Sequence, residues 1–323
     1  MNMHEYECDR YICTTDTLKE TLNVYGVAII PNVIDAGEID AMNTGVWDYL
    51  EHITQTCDIP IQRDDINSWN TFYKLFVKHS MLMQHFGIGH AQYIWNLRQN
   101  PKIIKIFAKL WNVKEDELLV SFDGASFHLP PEITKRGWNT NVSWLHTDQS
   151  PTRNDFECIQ SWVTGYDVND GDATLTFLEK SHMFHKQLAS TFKITSTEDW
   201  YKLNDDELKF YKTYCQQKYI KCSAGSMVFW DSRTIHSGAE AMKTREISNF
   251  RNIVYVCMMP KSLCSDSMLA KRQKAFDDLR TTNHWVSKTM LFPKIPRTYG
   301  KPVPNILNIT TPILTDVGIG LIK

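Results

Sequence analysis

The chain has no C-x-x-C pair among its eight cysteines, no strong basic block, no internal repeat and no low-complexity linker. Each absence removes a class of protein. Without paired cysteines a structural zinc knuckle has no ligands. With 35 basic against 37 acidic residues and a formal charge of −2, binding to nucleic acid has no electrostatic support, and no nucleic-acid partner is expected. No apolar run approaches the roughly 18 residues needed to cross a bilayer, so no membrane span is expected. The N-terminal residues, Met1 to Arg10, are polar and lack the apolar stretch of a signal peptide. The expectation is a cytoplasmic protein whose thiols stay reduced and act as small, inert hydrophobes.

What is present suffices for a large core. The 323 residues are 42% hydrophobic and 22% charged. One domain over 1–323 fits better than two, mainly β-strands wrapped by helices. Region 1–117 reads as helical with an early strand. Leu18, Leu22 and Tyr25 follow at helical spacing over 14–25, and Gly26 stops that helix. Val27–Val33 is β-branched and apolar. Asp35 with Glu38 three residues on predicts a capping box. Pro101–Trp111 is a helix with proline in its first turn. Region 58–100 reads as short helices and loops, and its aromatic rings at 69–95 read as core in preference to a substrate cage. From about 118 to 260 strands dominate, interrupted by a helical insertion at 181–219. A helix at 268–279 and an extended proline-rich tail complete 261–323.

The stretch that organises the rest is 144–148, Trp-Leu-His-Thr-Asp. His146 and Asp148 stand two apart in a strand-like run, so their side chains point the same way. A second strand-like run, Gly225 to His236, ends in another histidine. Two histidines and one carboxylate are the facial triad that holds non-haem Fe(II) and leaves coordination positions open. Along 158–167, one face carries Cys158, Gln160, Trp162, Thr164 and Tyr166, a polar and aromatic mixture suited to a pocket wall. Arg251 opens an apolar strand. A buried guanidinium wants a carboxylate, the sequence offers no fixed one nearby, and a ligand carboxylate is the remaining partner. His182 and His185 read as loop histidines, and Arg233 as a structural ion-pair partner of Asp231 or Glu240. Trp144 and Gln149 flank the triad and either touch substrate or pack at its rim.

These elements, in order, resemble the phytanoyl-CoA dioxygenase-like branch of the Fe(II)/2-oxoglutarate-dependent oxygenases. The matching runs are His146-Thr-Asp148, Ile159-Gln-Ser-Trp162, Gly171-Asp-Ala-Thr-Leu, Glu179-Lys-Ser-His182, Gly225 to His236, and Phe250-Arg251-Asn252, within roughly 20–260. The resemblance implies a double-stranded β-helix (a jelly-roll, cupin-like core) with iron at its open mouth. It implies His146, Asp148 and His236 as metal ligands and catalytic centre. It makes Arg251 the binder of the distal 2-oxoglutarate carboxylate, with Trp162, Gln160 and Thr164 lining the cosubstrate pocket. Fe(II), 2-oxoglutarate and O₂ would be the cofactors. A small-molecule or lipid-like substrate would be hydroxylated, with release of succinate and CO₂. Asp148 itself bears on the reaction type, because alanine or glycine there would open a halide position. The family's usual arginine spacing after the second histidine falls between Arg245, nine residues on, and Arg251, fifteen on. Arg251 is preferred because its neighbours are in family order, whereas Arg245 reads as a solvated loop residue beside Glu246. The family often has His-Gly-Ser at the second histidine and this chain has His236-Ser-Gly, which argues against a Ser237 contact to the cosubstrate. The alternatives are a catalytically inactive β-helix scaffold and, less well supported, a zinc hydrolase.

Overall fold

The computed structural model describes residues 5–77 and 81–323. Strand β1, Tyr6–Glu7, is followed by the helix Leu18–Tyr25 and by β2, Val27–Ile30. Gly26 between them has φ +79°, the left-handed region a helix end requires and glycine supplies freely. The helix Ala36–Ile53 opens on the expected capping box, with Glu38 N–H donating to Asp35 Oδ1 at 3.1 Å and Asp35 N–H to Glu38 Oε2 at 2.8 Å. Short helical turns and β3, Leu82–Met83, lead to the helices Gln92–Arg98 and Pro101–Trp111. Strands β4, Leu118–Val120, and β5, Ala125–His128, follow. Next come β6, His146–Thr147, β7, Ile159–Thr164, and β8, Thr174–Leu178. Beyond the helix His185–Phe192 lie β9, Tyr201–Lys202, the helix Asp205–Tyr214 and β10, Gln217–Ile220. Then β11, Met227–Asp231, β12, His236–Ala239, β13, Arg251–Tyr255, and β14, Met258–Pro260, precede the helix Asp266–Asp277.

The strands make two six-stranded sheets, ordered β1-β10-β8-β12-β6-β9 and β2-β11-β7-β13-β5-β3, with β14 and β4 as a separate pair. Among the named strands of the described residues, β1–β10 is the one parallel pairing. The sheets face each other across one apolar layer. Trp162, Val228, Ile253 and Ile29 come to it from the second sheet and Leu175, Phe177 and Ile220 from the first. The alternate residues of the second sheet, among them Ile159, Val163, Phe229 and Val254, face the other way into a core shared with the helices. Period-two geometry dictates this split. It fixes Gln160, Trp162 and Thr164 on the face that looks toward the first sheet. Trp69, Phe72, Tyr73, Phe76, Phe86, Tyr93 and Trp95 all pack in the helical core, as their reading as core requires.

Several boundaries differ from the sequence reading. The span 181–219 is not purely a helical insertion, because it contains β9 and most of β10, a central strand of the first sheet. Gln-Lys-Tyr-Ile hides its strand character, since Lys218 is buried and ion-paired to Glu5 instead of exposed. The two sheets also reach outside 118–260, taking in β1, β2 and β3. Only His146–Thr147 of 144–148 is strand, and the strand expected at 234–237 begins at His236. No helix among the described residues is long and apolar enough to cross a membrane.

Candidate metal centre

β12 lies between β8 and β6, and its register sets His236 directly opposite both Phe177 and His146. His236 therefore shares the inward face with Phe177, and Ser237 points to the other side of the sheet. The two imidazole centroids are 4.6 Å apart. Asp148 completes the group, with Oδ1 3.6 Å from His146 Nε2 and Oδ2 3.2 Å from His236 Nε2. The three side chains can offer ligand atoms that all lie within 4.8 Å of one another, and all three are buried.

The donor set fits a metal, and the surroundings explain how. His146 Nδ1 lies 3.0 Å from the Trp144 carbonyl and His236 Nδ1 2.8 Å from the Thr234 carbonyl. A carbonyl only accepts, so each Nδ1 carries the proton and each Nε2 is left with a lone pair toward Asp148. Gln160 Nε2 donates to Asp148 Oδ2 at 2.8 Å, and Trp285 Nε1 donates to the Asp148 carbonyl at 3.0 Å. Burial alone would push the Asp148 carboxyl up. Positive charge on the surrounding imidazoles, His146 first, would reverse this and hold it well below the ordinary carboxyl range, and with neutral rings that role falls to a metal. One contact opposes metal binding. Trp230 Nε1 donates to His236 Nε2 at 3.1 Å, using the lone pair that a metal would take.

β13, in the facing sheet, carries Arg251 on the same face as Ile253, toward the first sheet. Its Nη1 donates to Ser126 Oγ, and Met81 Sδ lies 3.7 Å away. No carboxylate among the described residues comes within ion-pair distance, and Arg251 Nε is buried without a hydrogen-bond partner. Burial lowers its pKa, with Tyr255 and, through space, Glu240 working the other way. His128, paired across from Arg251 on β5, is pushed down to about 4 by burial and is neutral beside it. Arg245 behaves differently from its expectation. It is not solvated, and Glu246 is not its partner. Its side chain is 2% exposed and bonds Glu132 through Nε at 2.7 Å and Nη2 at 2.5 Å, and Asp172 through Nη1 at 3.0 Å. Its guanidinium is already occupied.

The remaining candidates divide clearly. Trp162 is buried with its indole N–H unpartnered among the described residues. The Thr164 hydroxyl donates to the Tyr166 carbonyl at 2.7 Å, a local turn contact. His182 Nε2 and His185 Nε2 reach the carbonyls of Asn23 and Ser150, each at 3.0 Å, so both hold loops. Arg233 chelates Asp231 at 2.6 and 2.9 Å and does not pair with Glu240. Gln149 is buried and donates to the carbonyls of Arg153 and Asp155, which ties down a loop. Trp144 stacks on His146 with centroids 5.1 Å apart. All eight cysteines are free thiols, Cys158 and Cys257 lying 3.7 Å apart.

Four residues near the centre were not singled out from sequence. His284 lies close enough to feel Asp148, His236 and His146, and burial keeps it neutral. Trp285, beside it, props the Asp148 backbone. Asp123 has its carboxyl pushed up to about 7 by burial, against the pull of Gly124 N–H, which donates to it at 2.7 Å, and of Arg98. Trp200 stands 5.6 Å from His146, ring to ring. No local pattern marks any of them, since each is brought in by a segment remote in sequence.

No family model matches the chain. It is 28% identical over 218 residues to the "Ava biosynthesis cluster protein O" of Aspergillus versicolor, covering 63% of this chain and 67% of that protein. Among solved structures, it resembles a hypothetical protein, JW0805, of Escherichia coli, with a TM-score of 0.58 at 13% identity over 96% of this chain and 84% of that one. At that identity the likeness is one of fold. The epimerase SnoN, solved with Fe3+, alpha ketoglutarate and nogalamycin RO, is 18% identical with a TM-score of 0.45, covering 76% of this chain and 83% of that one.

Proposed function

We propose that this chain is an Fe(II)- and 2-oxoglutarate-dependent oxygenase on a double-stranded β-helix, of the phytanoyl-CoA dioxygenase-like type, hydroxylating a small-molecule or lipid-like substrate. The reading is carried by two buried groups on facing sheets. One sheet gathers three metal donors with fixed tautomers, and the other holds a guanidinium with no ion-pair partner among the described residues. A metal supplies the first with its charge, and a dicarboxylate supplies the second.

In this reading His146, Asp148 and His236 hold the iron. Bound there with 2-oxoglutarate and O₂, iron supplies the oxidative decarboxylation that yields succinate and CO₂ and the oxidation of substrate. The protein's part is positional. The Trp144 and Thr234 carbonyls keep the Nδ1 protons in place. Gln160 holds Asp148 against rotation. Arg251 fixes the distal carboxylate from a rigid strand, with Tyr255 and neutral His128 beside it. Trp162 and the apolar layer behind it keep water from that end.

The test is succinate release by the purified protein given Fe(II), 2-oxoglutarate and O₂, together with iron content after dialysis. Wild type should hold about one iron and release succinate even without a substrate. A His146→Ala or His236→Ala protein that keeps wild-type iron sinks the ligand assignment. Iron binding without succinate release leaves the inactive scaffold or the zinc hydrolase.

A further inference from the structure

Trp200 is an exposed tryptophan set against a metal-ligand candidate. It is 55% exposed, yet its ring centroid lies 5.6 Å from that of His146, at 38°. Its backbone is fixed. β9 begins at the next residue and pairs antiparallel with β6, Tyr201 opposite Thr147 and Lys202 opposite His146. One step further along that register sets residue 200 across from Asp148, where opposed side chains share a face. Asp199 is bound by Arg153, accepts from Ser150 N–H at 3.3 Å and lies 3.6 Å from Lys288 Nζ. On the other side Tyr201 O–H donates to Glu207 at 2.6 Å. An exposed apolar ring gains nothing from such anchoring unless something comes to cover it.

Resting on the oxygenase reading, the geometry points to Trp200 as the platform on which the substrate lies, and to a substrate with a flat, unsaturated ring face. Tryptophan presents a large rigid surface at low entropy cost, and aromatic pairs gain beyond simple burial. The charges nearby are mutually paired. Arg153 and Lys288 each meet Glu157 and Asp199, so these two cations beside Trp200 are already occupied. Trp144 also stacks on His146, so two indoles meet that ring. Asp199 acts through Trp200 and is a positioning residue.

The experiment compares 2-naphthol with its saturated counterpart, decahydro-2-naphthol, on protein loaded with Mn(II) and 2-oxoglutarate without O₂. Affinity is read by saturation-transfer NMR, and Mn(II)-dependent broadening of probe resonances locates the probe at the metal. The flat probe should bind about two- to tenfold tighter than the saturated one. Trp200→Ala should erase that preference, Trp200→Phe should retain most of it, and Asp199→Asn should weaken it. No preference in wild type, or a preference that survives Trp200→Ala, overturns the proposal. Failure of wild type to bind Mn(II) or 2-oxoglutarate breaks the oxygenase reading instead, and the probe preference, read on the metal-free protein, still decides the platform.

Discussion

The loop at 240–250 and strand β13 each bring one arginine to the inside of the molecule, with opposite results. Arg245 meets Glu132 and Asp172 and is satisfied. Arg251 meets a hydroxyl, a thioether and a phenol, and no carboxylate among the described residues. Both are shielded from water, so burial does not separate them. The supply of counter-charge does. A buried guanidinium that the fold has already paired is a structural pin, and one left open is a socket. Within the oxygenase reading the difference favours Arg251 over Arg245 as the carboxylate site, because an arginine with both forks taken has nothing left for a ligand.

Breaking the pin should give the largest effect. Arg245→Ala leaves the buried Asp172 and the half-buried Glu132 without their cation, and removing one partner of a buried pair costs about 3–5 kcal/mol. Glu132 is 32% exposed, so the loss should sit toward the lower end. Chemical denaturation should show a stability loss of that order, with 2-oxoglutarate affinity little changed in the protein that remains folded. Emptying the socket should do the reverse. Arg251→Ala removes a charge-assisted contact of about 1.5–3 kcal/mol to the cosubstrate, or about ten- to hundredfold in affinity. Its own stability should hold or rise, since an unpaired buried charge is gone. Uncoupled succinate release against 2-oxoglutarate concentration measures it. Equal loss of cosubstrate affinity in both variants would erase the distinction.

The same two arginines show what the sequence could and could not convey. Arg251 was legible because Ile253 and Tyr255 share its face at period two, although the strand, expected over 251–258, ends at Tyr255 and the chain re-pairs as β14. Arg245 was misread because its partners stand 113 and 73 residues away, and adjacent Glu246 was a false lead. The cluster of His146, Asp148 and His236 was legible for a similar reason, as two of its members stand two apart at one short strand and the third follows an apolar run. β10 was not, because a buried lysine breaks the alternation a strand search relies on. His284 and Trp285 were invisible in principle. They reach the centre from beyond β14, and only tertiary packing places them there.

Asp123 is the acidic counterpart of Arg251, a buried charge site without a close partner, and it sharpens the comparison through pH. Its carboxyl is pushed up to about 7, so the folded state holds a proton that the unfolded chain releases at ordinary carboxyl values. Its contribution is therefore fully present at acid pH and is lost as pH rises through about 7. The slope for one such group is on the order of 1 kcal/mol per pH unit in that window. Asp123→Asn in chelator-treated protein should flatten this decline, gaining stability over wild type at pH 8 but not at pH 4. A parallel pH profile for the two proteins would mean that Arg98 already neutralises the carboxylate.

The smallest effect tests whether the centre is set for a metal or for itself. Trp230 donates its indole N–H to His236 Nε2, the atom that the oxygenase reading assigns to iron. A metal arriving there must displace that hydrogen bond, and an exchange of this kind is worth about 1 kcal/mol or less. Trp230→Phe keeps the ring in the layer between the sheets and removes only the donor. Metal affinity should then rise by a few-fold, up to about fivefold, while the stability of the metal-free protein falls by a similar amount. Both shifts have one cause, so they should appear together in a competition titration and in a melt of the chelated protein. Metal affinity that falls in Trp230→Phe would mean that the indole supports the liganding geometry of His236 and does not compete for its lone pair. The socket at Arg251 would then face a centre already shaped by its neighbours, and the contrast with Arg245 would extend to the histidines as well.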